Sequence, residues 1–196
     1  MPKNNRFGQA KILTDSEFSR IRKQLKKDKD RLLFDILRYT GERLGAVIQL
    51  RQWDCFSVKG EVLEQITFRR NTRKATNKGK RYTRQLIIHP ALIETLEAYP
   101  RYPGNPWLFP SRTETSENHI TIQGADHVLR SAVDRAGLGG KGISSHSFRR
   151  TLITRLDEAG VSIKTIQGVT GHRSLASVQR YVEVSDERIR QAISLL

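Results

Sequence analysis

Apolar residues recur at helical spacing on both sides of a central stretch, Trp53 to His89, in which the period shortens to that of strands. Before that stretch, Thr14-Asp15-Ser16-Glu17 reads as a capping box, and Phe18, Ile21 and Leu25 continue along one helical face. A second helix over about 29–39 carries Leu33, Ile36 and Leu37 and is interrupted by Gly41; a third, about 43–51, carries Leu44, Val47 and Ile48. Inside the stretch the pattern predicts three strands, at 55–58, 62–69 and 82–88, with turns at Lys59-Gly60 and Asn77-Lys78-Gly79. Pro90 then opens a helix to about Tyr99, and the prolines at 100, 103 and 106 impose a loop. Val128, Leu129, Ala132, Val133 and Ala136 mark the next helix. Further helices are expected over about 145–159, closed by Gly160, and 162–169, ended by Gly171. Another is capped by Ser174 and runs through Val184, and a last one covers 186–195. The expectation is one domain, mainly α with a small three-stranded antiparallel β-sheet. A chain of 196 residues suffices for one good core and is short for two.

Charge narrows the partners. With 35 Lys+Arg against 20 Asp+Glu, the net charge is +15. Such an excess favours a polyanion, because neutralising phosphates releases condensed counterions. Between Arg69 and Arg84 lie eight basic residues and no acidic one: Arg69, Arg70, Arg73, Lys74, Lys78, Lys80, Arg81 and Arg84. Set between two strands, they predict a basic hairpin facing nucleic acid. An anionic membrane would favour one long basic amphipathic helix instead, and none is visible. No stretch approaches the roughly 20 apolar residues of a membrane span. The N-terminus lacks the apolar core of a secretory signal. Cys55 is the single cysteine, and no Cys/His cluster suggests zinc. A reducing, cytoplasmic and nucleoid-associated setting is expected, with no metal and no cofactor. RNA binding is disfavoured, since 7% aromatic residues leave little for stacking platforms.

Three segments resemble the tyrosine recombinase (phage integrase) family. Thr40-Gly41-Glu42-Arg43 is similar to the segment carrying its first catalytic arginine, and His146-Ser147-Phe148-Arg149 to its His-x-x-Arg motif. Gly171-His172, with Tyr181 nine residues after the histidine, is similar to its histidine and nucleophile segment. Each motif is weak alone; their order and spacing over about 11–185 are specific. The resemblance implies a strand-cutting enzyme with Tyr181 as nucleophile, leaving a 3′-phosphotyrosyl link that preserves bond energy without ATP or metal. Arg43 and Arg149 would clamp the scissile phosphate. His146 would handle protons, His172 would hydrogen-bond a non-bridging oxygen, and a hairpin lysine would protonate the leaving oxygen. Lys74 aligns best for that role, with Lys78 and Lys80 as alternatives. DNA contacts are expected from Arg69, Arg70, Arg73, Lys78, Lys80, Arg81 and Arg84, and from Arg150 and Arg173 beside the motifs.

Helical geometry bears on some of these residues independently. Leu175, Val178 and Val182 define an apolar stripe, and Tyr181 falls roughly 90° from its centre. On the helix of His146, the predicted buried face is Phe148, Leu152, Leu156 and Ala159. Arg149 lies about 60° from that face, while Arg150 points away, toward solvent or DNA. Two departures from the family pattern stand out. An acidic residue usually follows three positions after the first arginine, but Ala46 stands there, so support for Arg43 must come from elsewhere. Most members also carry an N-terminal helical domain closing around DNA, whereas here the catalytic domain is expected to begin near Leu13. That suggests a minimal recombinase or an excised domain. The resemblance further implies a tetramer on double-stranded DNA, a monomer in free solution, and a C-terminal helix at 186–196 docking on a neighbouring protomer. The alternatives are a non-catalytic DNA-binding protein on the same fold and a type IB topoisomerase.

Overall fold

The Thr14 side chain accepts from the Glu17 amide while Glu17 reaches back to the Thr14 amide, and this reciprocal cap starts α1 (Asp15–Lys23). In the computed structural model, residues 9–73, 75, 79–111, 117–172, 174–181, 189–190 and 193–194 are described. After α1 come α2 (Asp28–Thr40), α3 (Leu44–Val47), β1 (Gln65–Phe68), β2 (Arg84–Ile87), α4 (Pro90–Glu97) and α5 (Ile122–Arg135). The chain continues with α6 (Ser145–Glu158), α7 (Ile163–Thr170) and α8 (Leu175–Gln179). It is a mainly helical fold with a small antiparallel sheet. Among the described residues, no helix is long and apolar enough to cross a membrane.

The core forms where α1, α2 and α6 meet. Phe18, Phe34 and Phe148, one from each helix, pack edge to face with ring centroids 5.0 to 6.0 Å apart. Such pairs add about 0.5–1.5 kcal/mol each beyond their burial. This cluster fixes the rotation of α6 and therefore the direction of Arg149. A smaller cluster of Ile153, Ile166 and Val178 joins α6, α7 and α8, with Tyr181 packed against it.

Among the described residues the sheet has two strands, paired from Gln65↔Ile87 to Phe68↔Arg84, rather than the three expected. The predicted strand at 55–58 fails for a local reason. Gln52–Asp54 curls into a 3-10 turn, and the Cys55 and Phe56 amides both donate to the Gln52 carbonyl. What remains is a single bridge, Phe56↔Val62, around the turn at Gly60. The third helix is also shorter than predicted, ending at Val47, because Leu50 and Arg51 extend to pair with Leu108 and Trp107.

On α6 the predicted buried face is corrected. Phe148 is buried, but Leu152 and Leu156 are half-buried and Ala159 is exposed, while Ser147, Arg149, Thr151, Ile153 and Asp157 are buried. The helix packs on α2 on one side and α7 on another, so an amphipathic stripe understates what it covers. On α8, Val178 is buried but Leu175 is exposed, and Ser174 makes no capping bond to the helix backbone. Val182 and most of 186–196 lie outside the described residues.

Candidate active site

Two glycines with left-handed backbone bring the predicted motifs together. Gly41 ends α2 at φ 57°, and a Cβ there would stand 2.7 Å from Leu152 Cδ2. The turn that carries Glu42 and Arg43 can thus lie directly against α6. Gly171 ends α7 at φ 64°, where a Cβ would stand 2.7 Å from Arg73 Nη2 and 2.8 Å from Arg84 Cδ. Any other residue at either position would carry both backbone strain and a clash.

Arg149 sits between these turns, 3% exposed. Its Nη1 donates to the Gly41 carbonyl at 2.9 Å and its Nη2 to the Thr170 carbonyl at 3.0 Å. Nη2 also lies 2.9 Å from Nε2 of His172. Burial pushes the Arg149 guanidinium down to about 10, aided by Arg43 and Arg84 and opposed by Glu42, so it stays charged at neutral pH. Burial, then the charges of Arg149 and Arg43, push His172 down to about 3, so its ring is neutral. The rings of His172 and Tyr181 are 5.9 Å apart between centroids, and Tyr181 is half-buried. Arg149, His172 and Tyr181 therefore form one cluster. Arg43 and the exposed His146 line an adjoining cleft of about 690 Å³, together with Arg73, Arg81 and Arg130.

Between cleft and cluster lies Glu42, 1% exposed and absent from the residues that sequence reasoning singled out. Its carboxylate meets Arg84 Nη1 at 3.0 Å and Arg73 Nε at 3.1 Å, with Arg149 Nη1 at 3.9 Å. It also accepts from the Arg43 amide at 2.9 Å. Burial alone would raise its pKa, but Arg84 and Arg73 outweigh that and hold it below the usual carboxylate range. With Ala46 in place of an acidic residue, Glu42 is the carboxylate that the structure sets beside Arg43, through the Arg43 backbone amide. That vacancy, with a carboxylate next to Arg43, was the signal available in the sequence.

The expected DNA contacts divide. Arg70, Lys80 and Arg81 are exposed. Arg84 is a correction: it is 6% exposed, bound to Glu42 and to the Thr40 and Val169 carbonyls, and joins β2 to both turns instead of facing solvent. Arg73 likewise faces inward, to Glu42 and the Tyr82 and Gly171 carbonyls. Arg69 donates to the Gln49 carbonyl at 2.6 Å and pairs with Asp54 at 3.3 Å. Arg150, expected to point outward, donates to the Ala10 carbonyl at 2.7 Å and holds the N-terminal segment on α6. A long stem lets an outward-pointing arginine fold back onto such acceptors. Lys74, Lys78 and Arg173 lie outside the described residues.

The family model described as "Phage integrase family" matches residues 11–188. The chain belongs to the phage integrase family. Among its relatives, the tyrosine recombinase XerD of Brucella suis is 31% identical over 98 residues, covering 50% of this chain and 31% of that protein. The tyrosine recombinase XerC of Leptospira interrogans is 26% identical over 195 residues, 97% of this chain and 58% of that one. The chain thus spans from about a third to about three-fifths of these relatives' lengths. Among solved structures, the XerH site-specific recombinase bound to its difH substrate, a pre-cleavage complex, has the same fold. It superposes with a TM-score of 0.69 at 21% identity, covering 97% of this chain and 55% of that one.

Proposed function

We propose that this chain is the catalytic domain of a site-specific DNA recombinase that cuts and rejoins duplex strands through a 3′-phosphotyrosyl intermediate. The Tyr181 oxygen attacks the scissile phosphorus, the bond to the 5′ oxygen breaks, and Lys74 supplies the proton that the leaving oxygen takes. Arg43 and Arg149 hold the non-bridging oxygens with fixed, permanently charged forks, and His172 donates to one of them. His146 manages protons from the rim of the cleft. The exposed Arg70, Lys80 and Arg81 contact the phosphate backbone, joined by Lys78 of the same run and by Arg173, next to His172 in sequence. The link to tyrosine keeps the energy of the phosphodiester, so rejoining needs no ATP.

The observation that carries this reading is the junction of Arg149, His172 and Tyr181 beside a basic cleft. A binding protein would need cations there but no tyrosine against the histidine. The XerH recombinase structure, a pre-cleavage complex with its difH substrate, lends support at the level of the fold. The test is a nicked duplex that loses its short strand on cleavage, trapping the covalent adduct. An adduct that persists through denaturation supports the reading, and Tyr181→Phe should abolish it while duplex binding survives. An adduct undiminished by that change sinks it.

In this reading the protein is a monomer in free solution, where its net charge of +15 opposes association, and assembles as a tetramer on DNA. Deleting residues 186–196 should then lower multimeric complexes while sparing single-protomer binding; unchanged multimers would contradict this assembly.

A further inference from the structure

Thr170 is the last residue of α7, fully buried, with its hydroxyl between two partners. Oγ1 lies 2.6 Å from the Ile166 carbonyl and 2.7 Å from Nδ1 of His172. A hydroxyl has one hydrogen and a carbonyl can only accept, so that hydrogen goes to Ile166. Nδ1 of His172 must therefore carry a proton and donate to Thr170. The ring is neutral and holds one such proton, which leaves Nε2 as a bare acceptor. Arg149 lies over the ring, with Nη2 2.9 Å from Nε2 and 3.1 Å from Nδ1 and Nε 3.3 Å from Nε2, a cation on the ring face that favours the neutral ring without choosing between its tautomers.

This arrangement satisfies the free protein but does not suit a phosphate. The only N–H of the ring is engaged by Thr170, and the other nitrogen presents a lone pair that an anionic oxygen would repel. We propose that Thr170 is a positioning residue that sets the tautomer of His172 and reverses it when a phosphate enters. In the free protein its hydroxyl accepts from Nδ1–H; in the phosphate complex the hydroxyl turns and donates to Nδ1. One proton leaves Nδ1 and one arrives at Nε2 by exchange with water, with no change in net charge. The hydroxyl hydrogen swings from the Ile166 carbonyl to the ring. The phosphate at the same time draws Arg149 N–H groups off the ring face, leaving the tautomer to the Thr170 hydroxyl and the phosphate. A hydroxyl is the side-chain group that can serve both states, because it both accepts and donates. The reversal rests on the reading of His172 as phosphate-facing; the resting tautomer does not.

The test uses the whole chain with ¹⁵N-labelled histidine and long-range proton–nitrogen correlation, which distinguishes the protonated from the bare ring nitrogen. The chain has five histidines, so the His172 signals are assigned by their loss in His172→Gln. The free protein should show Nδ1 protonated and Nε2 bare. Titration with inorganic phosphate, its binding followed through the phosphorus signal, should exchange the two patterns. Thr170→Val should lose the Nδ1 preference in the free protein and form the adduct on a nicked duplex roughly tenfold more slowly, as the loss of a single hydrogen bond predicts. Thr170→Ser should restore both. A free ring already protonated at Nε2, a Thr170→Val pattern like the parent's, or a pattern unmoved at saturating phosphate would each overturn the proposal. In those cases adduct formation by Tyr181 could still stand. Phosphate that fails to bind at all counts against the phosphate-facing reading and the switch together.

Discussion

Replacing Glu42 with alanine removes a single carboxylate from among buried guanidinium groups. The Arg84 side chain is 4% exposed and that of Arg73 10%, and both rest on the carboxylate that Glu42→Ala deletes. Arg84 keeps its bonds to the Thr40 and Val169 carbonyls, but its charge, with those of Arg73 and Arg149, is left uncompensated. Breaking a buried pair by removing one partner costs about 3–5 kcal/mol. For a domain of this size each kcal/mol moves the melting temperature by about 2–4 °C, so a fall of about 10 °C is expected. Glu42→Ala combined with Arg84→Met, which also removes a stranded charge, should be less destabilised than the single change. The assay is thermal unfolding by circular dichroism at neutral pH without DNA. The acid side offers a second reading of the same group. The folded-state pKa of Glu42 is lowered, so its contribution is fully present above the ordinary carboxylate value and is lost as pH falls through the folded value. Acid should therefore erase the difference between parent and Glu42→Ala. A single variant melting within about 2 °C of the parent at neutral pH, which on the same scale is about 1 kcal/mol or less, would refute the view that Glu42 binds these turns together.

The remaining predictions concern charge and proton transfer. Neutralising Arg70 and Arg81 should lower the salt slope of log K by about 0.9 for each DNA phosphate left unneutralised, without lowering the melting temperature. Arg84→Ala should do the reverse, destabilising the fold by breaking its ties to Glu42 and the two carbonyls, and equal salt slopes for the two changes would contradict this division. Lys74→Ala should slow cleavage far more than binding and be rescued by a substrate with a 5′-sulfur leaving group, which needs no proton. Rescue of Lys80→Ala or Lys78→Ala instead would transfer the acid role to that residue. Because the folded-state pKa of His172 is lowered to about 3, the unfolded chain protonates it first, and stability should fall as pH drops below the ordinary histidine value of about 6.5. His172→Gln should flatten that part of the pH–stability curve, and an unaltered curve would contradict it.

Local rules made much of this fold legible in the sequence. The Thr14–Glu17 cap, Pro90 at a helix start and the stops at Gly41 and Gly171 depend on neighbouring residues alone. Periodicity did less well where a local turn, or a partner far along the chain, decides the outcome. The strand expected at 55–58 gave way to a turn whose acceptor is the Gln52 carbonyl. The basic run from 69 to 84 looked uniform in sequence, yet Arg69, Arg73 and Arg84 turn to Asp54 and Glu42 while Arg70 and Arg81 remain exposed. A charge count cannot separate a buried guanidinium from a solvated one, because the distinguishing carboxylates stand far earlier in the chain. The helical stripe expected to place Tyr181 does not hold: α8 ends at Gln179, Leu175 is exposed, and Tyr181 lies beyond the helix, half-buried against the Ile153, Ile166 and Val178 cluster. Glu42 was passed over because the usual acidic position lies on the other side of Arg43, at Ala46. Thr170 carried no signal, since its importance depends on the direction of a single hydroxyl hydrogen.

The most direct test of the central claim is to locate the covalent bond. Adduct trapped on a nicked duplex can be digested with nuclease and protease, and the modified peptide identified by mass spectrometry. The account predicts one nucleotide-bearing peptide, with the phosphate on the oxygen of Tyr181 and joined to a 3′ carbon. A phosphate on any other side chain, or a link through a 5′ oxygen, would contradict it.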